Sequence, residues 1–168
     1  MKKSICTRHS RAVMGAAALF VSAGGSVHAS DTASQNVNLT VTEVNEISLG
    51  GATVPLTVGT LSAGTLTGTI GSTYSITTNS ATSKKITAQL GGALTSGLTL
   101  STSLQAPSTG VSPGSPVALS TTAVDVVNSI EPVSAAGLTI TYTSTATVAV
   151  AAGVQAPVAV TYTIVNDS

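Results

Sequence analysis

Few side chains in this 168-residue sequence can do chemistry, and their positions divide the chain. Cys6, His9 and His28, the only thiol and imidazoles, all fall at its beginning, together with Arg8 and Arg11. Beyond them stand six acids, Asp31, Glu43, Glu46, Asp125, Glu131 and Asp167, with two adjacent lysines, Lys84 and Lys85. Two suitably separated carboxylates can hydrolyse a glycosidic bond. No motif pairs any of these six, and the aromatic platforms that sugar clefts recruit are missing. Glu43 and Glu46 could share a cation with nearby carbonyls, but nothing around them has the dense Asp/Asn/Gly spacing of a calcium loop. Lys84-Lys85 is too small a basic spot for a nucleic-acid surface. One of the two could join an asparagine in an isopeptide bond beside a buried acid, but the sequence does not select such a trio. Solvent-facing charges that blunt a strand edge are the plainer expectation. Asn38-Leu39-Thr40 and Asn166-Asp167-Ser168 match the glycosylation acceptor pattern, which arises easily in a Ser/Thr-rich chain. The expectation is a non-enzymatic protein with no catalytic, cofactor or metal site.

The early residues read as an address. Lys2, Lys3, Arg8 and Arg11 precede an apolar run from Ala12 to Ala23, and Val27-His28-Ala29 fits a small-x-small cleavage site. The run falls well short of the roughly 20 residues that span a bilayer. A cleaved secretory signal at residues 1–29 is therefore expected, with no stable membrane insertion. The product is expected outside the cytoplasm: periplasmic, at the cell surface or extracellular. Residues 30–168 suffice for one domain with a modest core. They hold no Cys, His, Met, Phe, Trp or Arg, and two lysines against six acids give a net charge of −4. Disulfides, thiolate or imidazole metal sites, and Ser-His-Asp or Cys-His catalysis are excluded there.

What must position these groups is a β-structure. Ser and Thr dominate the composition after Ala29. That would suit a disordered stalk, yet aliphatic residues recur at regular spacing. Leu138, Ile140, Tyr142, Ala146, Val148 and Val150 share one parity, with Ser144 the polar exception, and Thr139, Thr141, Thr143, Thr145 and Thr147 share the other. That period of two predicts a strand with one apolar face. The pattern resumes at Val158, Val160, Tyr162 and Ile164, and the two runs predict an antiparallel hairpin that would bring Tyr142 near Tyr162. Val37, Leu39 and Val41 predict a first strand, and Val54, Leu56 and Val58 a short one interrupted by Pro55. Ile47 to Gly51 reads as a turn. One or two strands are expected over Leu66–Ile70 and Tyr74–Thr77, with others at Ile86–Leu90, Leu98–Leu104 and Val117–Leu119. Val124–Ile130 reads as an irregular strand or a helical turn. Ala106–Pro116, with three prolines and two glycines, is expected as a long exposed loop.

These seven to nine short strands predict an all-β fold: a single immunoglobulin-like antiparallel β-sandwich over residues 30–168, with a small barrel as the alternative. The Ala29 cleavage region, the Val37–Val41 strand and the paired alternations of Leu138–Ile164 resemble small exported bacterial structural domains of the pilin-like or surface-coat kind. The resemblance implies a fimbrial or surface-layer subunit, partnered by itself or by other surface subunits, sometimes through strand exchange. Two features depart from it: the cysteine pair of many chaperone-assembled pilins is missing, and so is the type IV pilin leader. Val37, Leu39 and Val41 either complete their own domain or serve as an assembly strand inserted into a neighbour. The alternative function is a monomeric extracellular or periplasmic binding or adhesin module that uses loops such as Ala106–Pro116.

Overall fold

The computed structural model describes residues 32–168. The chain divides into two units, Met1–Leu39 and Thr40–Ser168. Of the first, residues 32–39 have no regular secondary structure. The expected signal and its cleavage region, with Cys6, His9, His28 and Asp31, lie outside the described residues.

The second unit is all-β. Its strands are β1 (Asn45–Leu49), β2 (Thr60–Ser62), β3 (Thr65–Thr78), β4 (Lys84–Leu90), β5 (Leu98–Leu104), β6 (Val117–Ala118), β7 (Val124–Ile130), β8 (Val133–Thr147) and β9 (Val160–Asn166). They form two antiparallel sheets packed as a partial sandwich. The larger runs β1-β3-β8-β5-β6, with β2 added beside β3, and curls into a half-barrel; the smaller is β7-β4-β9.

Strand length sets the architecture. β3 and β8 have 14 and 15 residues and pair along their whole length, from Thr65↔Thr147 to Thr78↔Val133, with one register shift between Tyr74 and Ile76. The strands of the smaller sheet have 7 residues each. At about 3.3 Å per residue the central pair is roughly twice as long as the sheet that packs on it. The larger sheet therefore overhangs at one end. In the covered part Tyr74, Ile76, Leu104 and Ile140 meet Ile86, Ala88, Val126, Val127 and Ile130 in one core. Burial of each large aliphatic side chain contributes about 1.5–3 kcal/mol.

The strongest period-two signal holds as far as Thr147, while Val148 lies beyond β8 and is exposed. Ile140, Tyr142, Ser144 and Ala146 are buried on β8, while the intervening threonines stay at least partly exposed. The polar exception is satisfied, since Ser144 Oγ donates to Thr99 O at 2.7 Å. Leu66–Ile70 and Tyr74–Thr77 belong to one continuous strand. The irregularity at 124–130 is a bulged strand: Val126 and Val127 both turn inward, the β4 register shifts around Ile86, and Ser129 takes a left-handed φ of 58°.

Four expectations are corrected. The runs ending in Thr147 and beginning at Val160 do not form a hairpin: β8 pairs with β3 and β5, β9 with β4 in the other sheet. Their connection, 148–159, arches between sheets and far exceeds the usual length of a hairpin loop. Val37–Val41 is not a strand; the first strand is β1, where a turn was expected. Val54, Leu56 and Val58 keep their inward alternation but join no ladder, and Pro55 lacks a donor to contribute. Ala106–Pro116 is a loop as expected, exposed over much of its length, and it is tied to β7 at one bridge. Val111 and Asn128 exchange backbone hydrogen bonds of 2.8 and 2.9 Å, and Pro107 is buried.

Candidate functional site

The overhang carries an open apolar cleft. Across β3, β8 and β5 the register stacks Leu66, Ala146 and Leu98 in one row and Gly68, Ser144 and Leu100 in the next. Here the wall opposite the larger sheet is built mostly by residues 51–58 and 150–159. Between them runs a cleft of about 1010 Å³, lined by Leu56, Leu66, Ile70, Leu98, Leu100 and Val158 among others. Gly68 lets the 51–58 arm approach, because a Cβ there would overlap the Thr57 carbonyl oxygen.

Beside this cleft β9 presents an edge. The bonds Gly91 N–H to Ala159 O and Asp167 N–H to Ser83 O fix which residues exchange backbone bonds with β4: the odd-numbered ones. The N–H and C=O groups of Val160, Tyr162 and Ile164 therefore point away from β4. Among the described residues β9 pairs with β4 alone, and β1 of the larger sheet passes close to it. The sequence-predicted assembly residues Val37, Leu39 and Val41 are 71%, 88% and 86% exposed and join no ladder. Just after them the chain is clamped by one asparagine. Asn79 Oδ1 accepts from Val44 N–H at 2.7 Å, Asn79 N–H donates to Val44 O at 3.2 Å, and Asn79 Nδ2 donates to Thr42 O at 2.9 Å.

The two lysines separate by parity. Lys84 falls in step with Ile86, Ala88 and Leu90 and turns inward, so it is 7% exposed rather than the expected solvent-facing charge. Its Nζ lies 2.9 Å from Glu43 Oε1 and donates to Asn166 Oδ1 at 2.6 Å. Glu43 is also held by Asn45 Nδ2 at 2.7 Å. Hydrogen bonds from Asn45, Lys84 and Ser80, with the Lys84 charge, lower its carboxyl to about 2. Lys85 points to the other face and pairs with Asp125 at 3.1 Å. The signal for Lys84 was present in the sequence, since a strand over 84–90 puts it on the apolar parity. Asn166 likewise shares the parity of Tyr162 and Ile164. Nothing in sequence alone could add Glu43, which belongs to another segment.

The tyrosines do meet, but through their tips. Tyr162 OH donates to Tyr142 OH at 3.0 Å, joining the two sheets, and lies 3.1 Å from Thr102 Oγ1. Burial raises the pKa of both phenols. Tyr74 OH donates to Gln105 O at 2.6 Å, and burial pushes its phenol up to about 12. These are core side chains with satisfied hydroxyls.

The remaining acids are dispersed. Asp167 Oδ2 accepts from Ser129 N–H at 2.7 Å, and Glu46 and Glu131 are exposed. Among the described residues no three His, Cys, Asp or Glu side chains gather where they could hold a metal ion. Among them, too, no helix is long and apolar enough to cross a membrane. Both acceptor asparagines are exposed, and Asn166 is also engaged by Lys84. Comparison with family models, with curated proteins and with solved structures finds no match to this chain.

Proposed function

We propose that this chain is an exported, non-enzymatic structural subunit, pilin-like in kind and immunoglobulin-like in fold, that assembles by strand donation. The Val37–Val41 segment of one copy enters the open end of the next and pairs along the β9 edge. The observation that carries this reading is the coexistence of an unpaired, apolar-alternating segment with an apolar cleft beside an open strand edge. Export rests on the basic, apolar and Ala29 pattern of the N-terminal sequence.

Magnitudes say what the contact requires. Burying two valines and one leucine yields about 1.5–3 kcal/mol each. Association costs roughly 4–15 kcal/mol in lost freedom, so side-chain burial alone barely holds two copies together. The backbone ladder along Val160, Tyr162 and Ile164 must form as well, as in other strand additions. Donor and acceptor are different surfaces, so the contact is heterologous and propagates into a fibre or layer. The binding-module reading gains no comparable support, because Ala106–Pro116 is tied to β7.

The test is light scattering with negative-stain microscopy on protein isolated from its host envelope. Regular multimers that vanish when Val37, Leu39 and Val41 are replaced by serine are expected. A strict monomer over a wide concentration range, with no envelope-bound polymer, would overturn the proposal.

A further inference from the structure

Among the described residues Lys84 is the one charged side chain buried in the fold, and its amine reaches two partners that are open to solvent, Asn166 and Glu43. Lys84 and Asn166 are direct partners across the β4–β9 ladder. Since 83/167 and 91/159 are hydrogen-bonded positions, 84/166 is a non-hydrogen-bonded one, where facing side chains approach most closely. The amine nitrogen already touches the amide it would attack, at 2.6 Å from Oδ1, and a carboxylate stands 2.9 Å from the same nitrogen. Asn45 Nδ2 donates to the same carboxylate oxygen, and the Asn79 clamp fixes the backbone next to it.

We propose that Lys84 and Asn166 become joined by an intramolecular isopeptide bond, with Glu43 carrying the proton. The Lys84 ammonium gives one proton to Glu43 Oε1, and the freed amine attacks Asn166 Cγ while the carbonyl electron pair moves onto Oδ1. A second proton passes from Nζ to Nδ2. The adduct then collapses: the Cγ–Nδ2 bond breaks, the carbonyl re-forms and ammonia leaves. Ammonia takes the proton held by Glu43, so the carboxylate is regenerated and the products are one amide and one ammonium ion. No oxidant, metal or second substrate enters the balance.

Positioning replaces a bimolecular encounter here. Glu43 is a weak base, so the bond forms slowly, and a single intramolecular turnover needs no speed. The product ties β4 covalently to the edge strand β9. This modification stands apart from strand donation, since a monomer can carry it and a polymer can lack it.

The experiment is high-resolution mass spectrometry of the full chain after prolonged incubation in the folded state, with tandem sequencing of its proteolytic peptides. The expected result is a mass lower by one ammonia and a branched peptide linking Lys84 to Asn166. Lys84→Arg keeps the cation and removes the nucleophile, and Glu43→Gln removes the proton carrier. Both are expected at full mass while circular dichroism shows an unchanged β-fold. Wild-type protein that stays at full mass overturns the proposal. So does ammonia loss that persists in Lys84→Arg, which would place it in cyclisation of Asn166 on its own backbone.

Discussion

The two ends of the long β3–β8 pair are built from the same materials and meet different fates. At the covered end Tyr74, Ile76 and Ile140 face the smaller sheet and are 1% exposed. At the overhang Leu66 and Ile70 of β3, with Leu98 and Leu100 of β5, face inward with the same alternation and stay partly open, although Tyr142, Ser144 and Ala146 of β8 between them are buried. Residue type and parity are alike; only the partner layer differs. Alternation therefore specifies which face of a strand turns inward, while the length of the opposing sheet decides whether that face is finished. Under the proposed strand donation, such an unfinished apolar face is where a second copy completes the layer.

Truncation breaks the comparison most directly. Ile140→Ala at the covered end is expected to cost about 3 kcal/mol, because the cavity is enclosed on both sides. Leu66→Ala at the overhang is expected to cost about 1 kcal/mol, since much of that side chain is already wet. Urea unfolding of monomeric protein measures both. Equal costs would mean that the overhang is as well packed as the core. In assembled material the order changes, and Leu66→Ala should weaken multimers more than Ile140→Ala does.

The tyrosines sharpen the covered side. Tyr162→Phe leaves Tyr142 OH and Thr102 Oγ1 without their shared partner, at an expected cost of about 1–2 kcal/mol. Adding Tyr142→Phe should cost less than its own single effect, because the broken contact is common to both. Alkaline titration reads the same region. Burial raises the Tyr74 phenol to about 12 and also raises Tyr142 and Tyr162. Below the ordinary phenol value, near 10, these groups are neutral in both states and cost nothing. As pH climbs from about 10 towards 12 the unfolded chain ionises first and stability falls. Tyr74→Phe should flatten that fall, and an unchanged slope would remove Tyr74 as its source.

Much of this was legible in the residues. Period two located β4, β5 and β8, and it correctly separated Tyr142 and its inward neighbours from the threonines. It could not say that β8 and β9 lie in different sheets. Val148 and Val150 prolonged the alternation past Thr147, so the connection looked shorter than it is and a hairpin looked natural. β1 was misread because Ile47 and Leu49 alone carry its pattern, and Leu49 is exposed. Val37–Val41 shows the reverse error: a clear alternation that joins no ladder among the described residues. Lys84 was misjudged by residue type, although its parity with Ile86 already placed it inside. The cleft had no sequence signature at all, because it arises from a mismatch in strand lengths.

Gly68 tests the arm that walls the open end. A methyl group added there would collide with the Thr57 carbonyl, and backbone, unlike a side-chain tip, cannot swing aside. Gly68→Ala should therefore displace residues 54–58 at an expected cost of about 1 kcal/mol, within the range for overpacking. Faster amide exchange over Leu56–Gly59, with Ile140 and Tyr142 still protected, is the expected pattern. Loss of protection throughout the sheet would show that the two ends are one cooperative unit.

The smallest effect is expected at the outer lysine. Lys85 and Asp125 pair at 3.1 Å, and the aspartate side chain is 44% exposed. The lysine side chain is only 17% exposed, but with the aspartate open to solvent the pair contributes about 0.5 kcal/mol. Salt at about 1 M should erase the difference between wild type and Lys85→Ala, since screening then acts within about 3 Å. Lys84→Ala is the matched control one residue away. It removes a buried partner from Glu43 and Asn166 and opens space on the apolar face, so its cost should exceed that of Lys85→Ala and survive high salt. Equal, salt-sensitive losses at both positions would mean that parity on β4 does not separate an inside from an outside at this end of the sheet.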